Sequence, residues 1–226
     1  MSALASVRLS PAAARVAPFA LFIALLVLES LIGDRAGDRR WLTVVRPLLV
    51  AGLLTYLWSH YEELHERVRV QPSDWILAVV LGFAVFAAWI TFDHGWAALG
   101  EPARGFVPLD AQGRVDTTLV VLRLAGFALV VPIMEELFWR SFFLRVIKAR
   151  DFLRLPPRAA GLGAFALSSA LFATEHSLWF AGLLAGMAYN VCFMRSGNLW
   201  VPILSHAITN GTLGLWILAT HNWRYW

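Results

Sequence analysis

Residues 117–147 read TTLVVLRLAGFALVVPIMEELFWRSFFLRVI. The run is mostly apolar, and it is longer than the about 20 residues that a helix needs to cross a ~30 Å hydrocarbon core. A chain in lipid must satisfy its own backbone hydrogen bonds, so this run is predicted to be a transmembrane helix. It also contains Glu135, Glu136 and Arg140, whose charges are costly in a membrane and therefore mark a candidate functional site.

Apolar segments of similar length recur on both sides of this stretch. With 59% hydrophobic and 15% charged residues, the composition excludes an ordinary soluble domain, of which about 25% is charged. The sequence therefore predicts a single integral membrane domain over residues 1–226. Its fold class is all-α, a polytopic transmembrane helical bundle of about seven to eight spans, the eighth arising if the central stretch breaks near Pro132. The seven segments are residues 16–32, 42–59, 75–92, 117–147, 160–176, 178–194 and 199–220.

The basic residues indicate how the bundle is oriented. Short loops rich in Lys and Arg stay on the cytoplasmic side of a membrane, and five such residues lie between positions 145 and 158. That connection is predicted to be cytoplasmic and the acidic loop at residues 93–116 external, in a multi-pass protein of the cell inner (plasma) membrane. The positive charges flank helices and form no continuous stripe, so the lipid bilayer is an expected partner and nucleic acid is not.

The two adjacent glutamates have different local partners. On a helix Glu136 and Arg140 lie at positions i and i+4, where opposite charges pair. Glu135 points about 100° away from Glu136 and has no local partner. Glu135 is therefore the candidate for acid–base chemistry, with Glu136 and Arg140 in support. For this motif taken alone, a solvated helix end is the alternative.

Further polar groups lie in two other apolar segments. Phe172 precedes His176 by one helical turn near the end of the fifth segment, and His206 precedes Asn210 by one turn within the last. Together with the glutamates, these groups are suited to hydrolysis of an amide. Glu135 would deprotonate a water that His176 helps to hold, and His206 and Asn210 would donate hydrogen bonds to the developing oxyanion.

The sequence leaves the activation of that water open. A site for a divalent metal such as zinc would use Glu135, His176 and His206, with water as a fourth ligand. However, no HExxH motif is present, and His206 has Asn210 as its neighbour on the helix face, a poor zinc ligand and a good amide donor. We therefore expect a glutamate-activated water without an obligatory metal, and no other cofactor is predicted.

Three motifs in the order EExxxR, FxxxH and HxxxN resemble those of the CAAX protease and bacteriocin-processing family, which includes the type II CAAX prenyl proteases. In this sequence they are Glu135-Glu136-…-Arg140, Phe172-…-His176 and His206-…-Asn210. The resemblance covers residues 117–220, the expected catalytic core helices. It implies an intramembrane endopeptidase in which these glutamate, arginine, histidine and asparagine residues are catalytic, with the roles described above.

The rest of the chain is similar to one branch of that family, the CAAX prenyl protease-related proteins that accompany exosortase systems. The branch implies a membrane-anchored protein or peptide as substrate and exosortase-system proteins as partners. The competing interpretation is a non-catalytic membrane scaffold or partner of a protein-sorting or export system. Ionisable groups concentrated in three helices favour the enzyme. Within this region Gly182 and Gly186 are expected to form a close helix-packing face.

The depths of the two histidines pose a difficulty for this site. A helix that starts at Arg158 would place His176 ~27 Å along it, whereas His206 lies only ~10 Å into its own helix. Groups that act together cannot differ so much in depth. Either the fifth helix starts later, or the connection at residues 175–178 turns inside the bundle beside a watery cavity, and we expect the second.

Overall fold

The chain folds into helices joined by turns. The computed structural model describes residues 9–32, 39–66, 68–99, 107–110 and 112–226. Within these ranges the regular structure is helical apart from an isolated bridge between Leu109 and Val115, which confirms the all-α prediction there. The helices are α1 (Pro11–Ile32), α2 (Leu42–Tyr56), α3 (Glu62–His65), α4 (Pro72–Thr91), α5 (Thr117–Val146), α6 (Gly161–Ala173), α7 (Trp179–Ser196) and α8 (Trp200–Thr220). Single 3₁₀ turns lie at Arg39–Trp41, Trp58–His60, Gly95–Ala97, Phe152–Arg154, Pro157–Ala160 and Trp223–Tyr225.

Four of the described helices, α1, α4, α5 and α8, are long and apolar enough to cross a membrane. α2 has 15 residues and α6 has 13, and at 1.5 Å per residue both are shorter than a ~30 Å core. α7 has 18 residues but includes the polar Tyr189 and Asn190. The expected count of seven to eight spans is therefore not confirmed, because four of the described helices are of spanning length and composition. α5 also continues through Pro132, so the break that would add an eighth span does not occur.

One end of the bundle collects arginines from several parts of the chain, and we call it the basic end. Arg15 of α1 is fully buried and donates to Glu63 at 2.8 Å and to Ser141 of α5 at 3.2 Å. Arg145 is also buried and donates to the carbonyl of Ser141 at 2.7 Å. Arg158 donates to backbone carbonyls at the end of α7. Part of the charge that the sequence assigned to a cytoplasmic loop therefore ties helices together.

The opposite end of the bundle holds the connections that follow α4, α6 and α8, and we call it the cavity end. Asp93, just after α4, accepts a hydrogen bond from the hydroxyl of Tyr225 at 2.5 Å. The N–H of Leu99 donates to the carbonyl of Ser177 at 2.7 Å. The loop at residues 93–116 that was expected to be external lies partly outside the described residues. These contacts fix the segments around the cavity described below.

Glycines allow α6 and α7 to pack closely. A Cβ added at Gly186 would lie 2.9 Å from the Cα of Ser169, and one at Gly182 would lie 3.2 Å from the Cα of Ala173. Both contacts are with backbone atoms of α6, which cannot move aside as a flexible side chain would. This confirms the expected packing face.

Gly186→Ala is expected to lower the free energy of unfolding by about 1–3 kcal/mol, the usual cost of overpacking a tight contact. The matched control is Gly163→Ala in α6, where an added Cβ has open space. Because glycine weakens a helix interior, this control is expected to stabilise the protein by about 0.5–1 kcal/mol. Thermal unfolding in detergent, followed by tryptophan fluorescence, measures both variants, and a neutral effect at Gly186 would contradict the tight packing.

Candidate active site

Two π-helical turns in α5 flank the segment that carries the glutamates. They are Gly126–Val130 and Leu137–Phe143, on either side of Val131–Glu136. In the first, the N–H of Val131 bonds to the carbonyl of Gly126, five residues back. Pro132 has no N–H, so the carbonyl of Phe127 lacks its helical donor, and Asn210 of α8 donates to it from Nδ2 at 2.8 Å. Irregular helix geometry of this kind is frequent at functional sites, and here it ties α8 to α5.

Glu136 is the centre of a buried charge network. Its side chain is fully buried, and Oε1 accepts a hydrogen bond from Arg140 at 3.1 Å. The pair predicted from the i, i+4 spacing is thus confirmed. The same oxygen lies 2.9 Å from Nδ1 of His206 on α8, a contact between helices that the sequence did not predict. Glu136 therefore joins the first motif to the third.

Arg140 joins these motifs to the second one. Its guanidinium lies 4.5 Å from the ring centroid of Phe172 and 5.2 Å from that of Tyr189, and it donates to the carbonyl of Gly186 at 3.3 Å. A cation over an aromatic face is stabilised electrostatically. The carbonyl of Phe172 in turn accepts from Nδ1 of His176 at 3.0 Å. Phe172 therefore supports the arginine with its ring and the histidine with its backbone.

A cavity of about 280 Å³ at the cavity end is lined by the four residues predicted to carry the chemistry, Glu135, His176, His206 and Asn210. Glu135 is 8% exposed, and its Oε2 is buried without a hydrogen-bond partner among the described residues. Glu136 and Arg140 lie behind the wall, since neither lines the cavity. The structure thus separates one unpaired carboxyl at the cavity from one that is held in a network.

The path of the chain after α6 removes the difficulty over the depths of the histidines. α6 begins at Gly161 and ends at Ala173, so His176 lies in the connection to α7 and not on the helix. Four consecutive residues of this connection, starting with Glu175, line the cavity together with His206. The helix starts a little later than position 158, and its connection contributes to the cavity wall.

Both histidines use Nδ1 for a bond within the protein. A carbonyl only accepts, so Nδ1 of His176 carries the proton in its bond to Phe172. His176 lies outside the four candidate spans, and burial lowers the pKa of its ring to about 4. Near neutral pH the ring is therefore uncharged, and its Nε2 is an acceptor suited to a water. Nδ1 of His206 donates to Glu136, which leaves Nε2 for a partner in the cavity.

This geometry refines the predicted oxyanion site. A neutral His206 with its proton on Nδ1 can only accept at Nε2, so it donates to an oxyanion only when both ring nitrogens carry protons. Asn210 uses one N–H of Nδ2 on Phe127 and retains the second. The asparagine is therefore the donor whose availability does not depend on protonation.

The described side chains do not form a metal site in this arrangement. Among them, no three or more His, Cys, Asp or Glu groups lie close enough together to hold an ion. Glu135, His176 and His206, the ligand set considered from the sequence, share the cavity but not a common point. Glu136, a fourth potential ligand, is engaged by Arg140 and His206.

The structure adds residues to the site that the sequence motifs did not include. Glu175 lines the cavity, and its Oε2 accepts from Trp139 Nε1 at 3.0 Å. Tyr189 lines it from α7 and stacks on His206. Glu175 could have been found as one more ionisable residue at the end of an apolar segment. Nothing in the sequence distinguishes Tyr189 or Trp139 from ordinary packing residues.

Comparison with protein families places the three motifs in one match. A family model described as Type II CAAX prenyl endopeptidase Rce1-like matches residues 117–212, from the start of α5 to the middle of α8. Neither curated proteins nor solved structures give a match. With four apolar helices of spanning length, the match points to a membrane protein of a protease family, and it supports the placement of the chain in the CAAX protease and bacteriocin-processing family.

Proposed function

We propose that this chain is an intramembrane endopeptidase, related to type II CAAX prenyl proteases, that hydrolyses a peptide bond of a membrane-associated protein. The observation that carries the proposal is the division between the two glutamates. Glu135 lines the cavity and has one oxygen buried without a hydrogen-bond partner among the described residues, whereas Glu136 holds Arg140 and His206. One carboxyl is thus available for proton transfer, and the other keeps the surrounding groups in place.

In the proposed reaction, Glu135 takes a proton from a water whose second hydrogen bonds to Nε2 of His176. The hydroxide attacks the carbonyl carbon of the scissile peptide. The negative charge that develops on oxygen accepts hydrogen bonds from the second N–H of Asn210 and from a doubly protonated His206. Collapse of the tetrahedral intermediate breaks the C–N bond, and the proton held by Glu135 passes to the departing amine.

The topology and substrate follow as parts of the same proposal. The basic end would face the cytoplasm of a cell with the chain in its inner membrane, which places the cavity toward the external side. The apolar side chains that share the cavity with the polar groups, such as Phe127, Val131 and Leu213, suit an apolar peptide segment. The resemblance of the chain outside its core to exosortase-associated relatives supports a membrane-anchored sorting tail as the substrate.

The test compares cleavage by the wild type and by Glu135→Gln. The purified chain in lipid nanodiscs is incubated with a library of peptides from membrane-protein termini, and new ends are identified by mass spectrometry. Membrane proteomes of cells that express either form are compared in parallel. We expect termini that appear only with the wild type. Identical termini in both samples would favour the non-catalytic scaffold and contradict the proposal.

A further inference from the structure

The imidazole of His206 is held from two directions by residues of other helices. Its Nδ1 lies 2.9 Å from Oε1 of Glu136. Its ring is stacked on that of Tyr189, with centroids 4.6 Å apart and planes inclined by 17°. The hydrogen bond fixes the position of one ring atom, and the stacked face fixes the plane of the ring. Tyr189 belongs to α7, which contributes no residue to the three motifs.

Tyr189 is itself anchored to a third helix. Its hydroxyl donates to Oγ1 of Thr209 at 2.9 Å, and the single hydroxyl hydrogen of Thr209 is shared between the carbonyls of Gly82 in α4 at 2.9 Å and of Ser205 in α8 at 3.1 Å. Thr209 is fully buried and Tyr189 is 1% exposed. A Cβ at Gly82 would lie 2.7 Å from the carbonyl oxygen of Ser205, so the glycine is what lets α4 approach α8 closely enough for this bond.

The tyrosine ring also borders the other partner of Glu136. The guanidinium of Arg140 lies 5.2 Å from its centroid, and Arg140 and His206 both bond to the same carboxylate oxygen. Tyr189 therefore covers the network on the side of α7. A smaller aliphatic side chain there would leave the imidazole free to rotate away from Glu136.

We propose that Tyr189 is a positioning residue for His206. Its ring sets the plane of the imidazole, and its hydroxyl fixes that ring, through Thr209, to the backbone of Gly82. By this route α4 and α7 hold a group that acts in the cavity. The catalytic consequence rests on the proposed function, but the position of the imidazole can be tested without a substrate.

The first measurement is spectroscopic. In protein labelled with ¹⁵N-histidine, the Nδ1–H of His206 is bonded to a carboxylate, and its resonance is the one lost in His206→Gln. We expect this resonance to stay near its wild-type position in Tyr189→Phe, which keeps the ring, and to shift or disappear in Tyr189→Leu. The matched control is Tyr61→Leu, which removes another buried tyrosine, bonded to the carbonyl of Ala14 at the basic end, and is expected to leave the resonance unchanged.

The second measurement is kinetic and uses the best-cleaved peptide from the library. Misplacing a reacting group by about 1 Å costs about 10²-fold, so Tyr189→Leu is expected to lower kcat by about 10²-fold with KM nearly unchanged. Tyr189→Phe and Thr209→Val remove the same hydrogen bond, and each is expected to lower kcat by at most about tenfold. Because the two changes share one interaction, the double variant should lose no more than either single variant.

The two measurements separate the inference from the proposed function. A wild-type resonance in Tyr189→Leu overturns the positioning role, whether or not the chain cleaves peptides. If the resonance is also lost in Tyr61→Leu, the positioning role is overturned as well, because the loss then reflects a general destabilisation of the fold.

If Tyr189→Leu does not fold, the kinetic measurements decide, and additive effects of Tyr189→Phe and Thr209→Val on kcat contradict the shared anchor. A raised KM with unchanged kcat would make Tyr189 a substrate contact instead. Absence of wild-type cleavage overturns the proposed function and leaves the spectra to decide on Tyr189.

Discussion

Glu135→Gln is expected to slow peptide hydrolysis by about 10²–10⁴-fold, the contribution of a general base, without loss of stability. Glutamine is close in size to glutamate but cannot take the proton of the attacking water. Among the described residues, the carboxyl of Glu135 has an oxygen buried without a hydrogen-bond partner, and a negative charge on it is unfavourable next to the carboxylate of Glu136. Removing that charge relieves an unfavourable burial, so the melting temperature should equal or exceed that of the wild type.

Two controls make this expectation specific. Glu62→Gln changes an exposed glutamate near the basic end, away from the cavity, and should leave the rate unchanged. Glu135→Asp keeps a carboxylate but withdraws it by one methylene, so its rate should fall between those of the wild type and Glu135→Gln. Single-turnover rates on one peptide and melting temperatures in the same detergent provide the measurement. A fully active Glu135→Gln would remove Glu135 from the mechanism.

The sequence could identify the candidate residues because a membrane makes polar groups conspicuous. Glu135, His176 and His206 each interrupt an apolar segment, where an ionisable side chain is expected only for a functional reason. The i, i+4 spacing also gave the pair between Glu136 and Arg140, since both residues lie on one helix. These inferences need only helical periodicity and the cost of burying charge.

Contacts between helices could not be predicted from the sequence, because they depend on how the helices are placed relative to one another. Glu136 and His206 are 70 positions apart, and their contact depends on the rotation and depth of α5 and α8, which no local pattern records. The stacking of Tyr189 on His206 depends in the same way on α7. Pro132 was interpreted as a possible break, whereas a π-helical turn and a side-chain donor from Asn210 let the helix continue.

The number of spans could not be predicted because hydropathy does not show where a helix ends. The fifth apolar segment was expected to extend over residues 160–176, but its helix stops at Ala173. The turn that follows carries Glu175 and His176 into the cavity wall, and it is accompanied by no proline or glycine that would have marked it. The observed helix is therefore shorter than the one that an apolar count predicts.

Glu136→Gln, in contrast with the change at Glu135, is expected to damage the fold. Arg140 is 1% exposed, and among the described residues its other hydrogen-bond and ring partners are the carbonyl of Gly186 and the rings of Phe172 and Tyr189. None of these carries a compensating charge. Breaking a buried ion pair by removing one partner costs about 3–5 kcal/mol, and we expect a loss of that size in the free energy of unfolding.

The matched control for this loss is Asp151→Asn, which breaks a pair with Arg154 whose side chains are 67% and 88% exposed. An exposed pair contributes about 0–1 kcal/mol, so this variant should unfold almost as the wild type does.

In the double variant Glu136→Gln/Arg140→Gln neither charge remains without its partner. Its loss in the free energy of unfolding should therefore be smaller, by about 0.5–3 kcal/mol, than the sum of the losses in Glu136→Gln and Arg140→Gln. Denaturant unfolding in mixed micelles measures these variants together with Arg140→Gln and Glu135→Gln, and equal stability of Glu135→Gln and Glu136→Gln would contradict the division of roles between the two carboxyls.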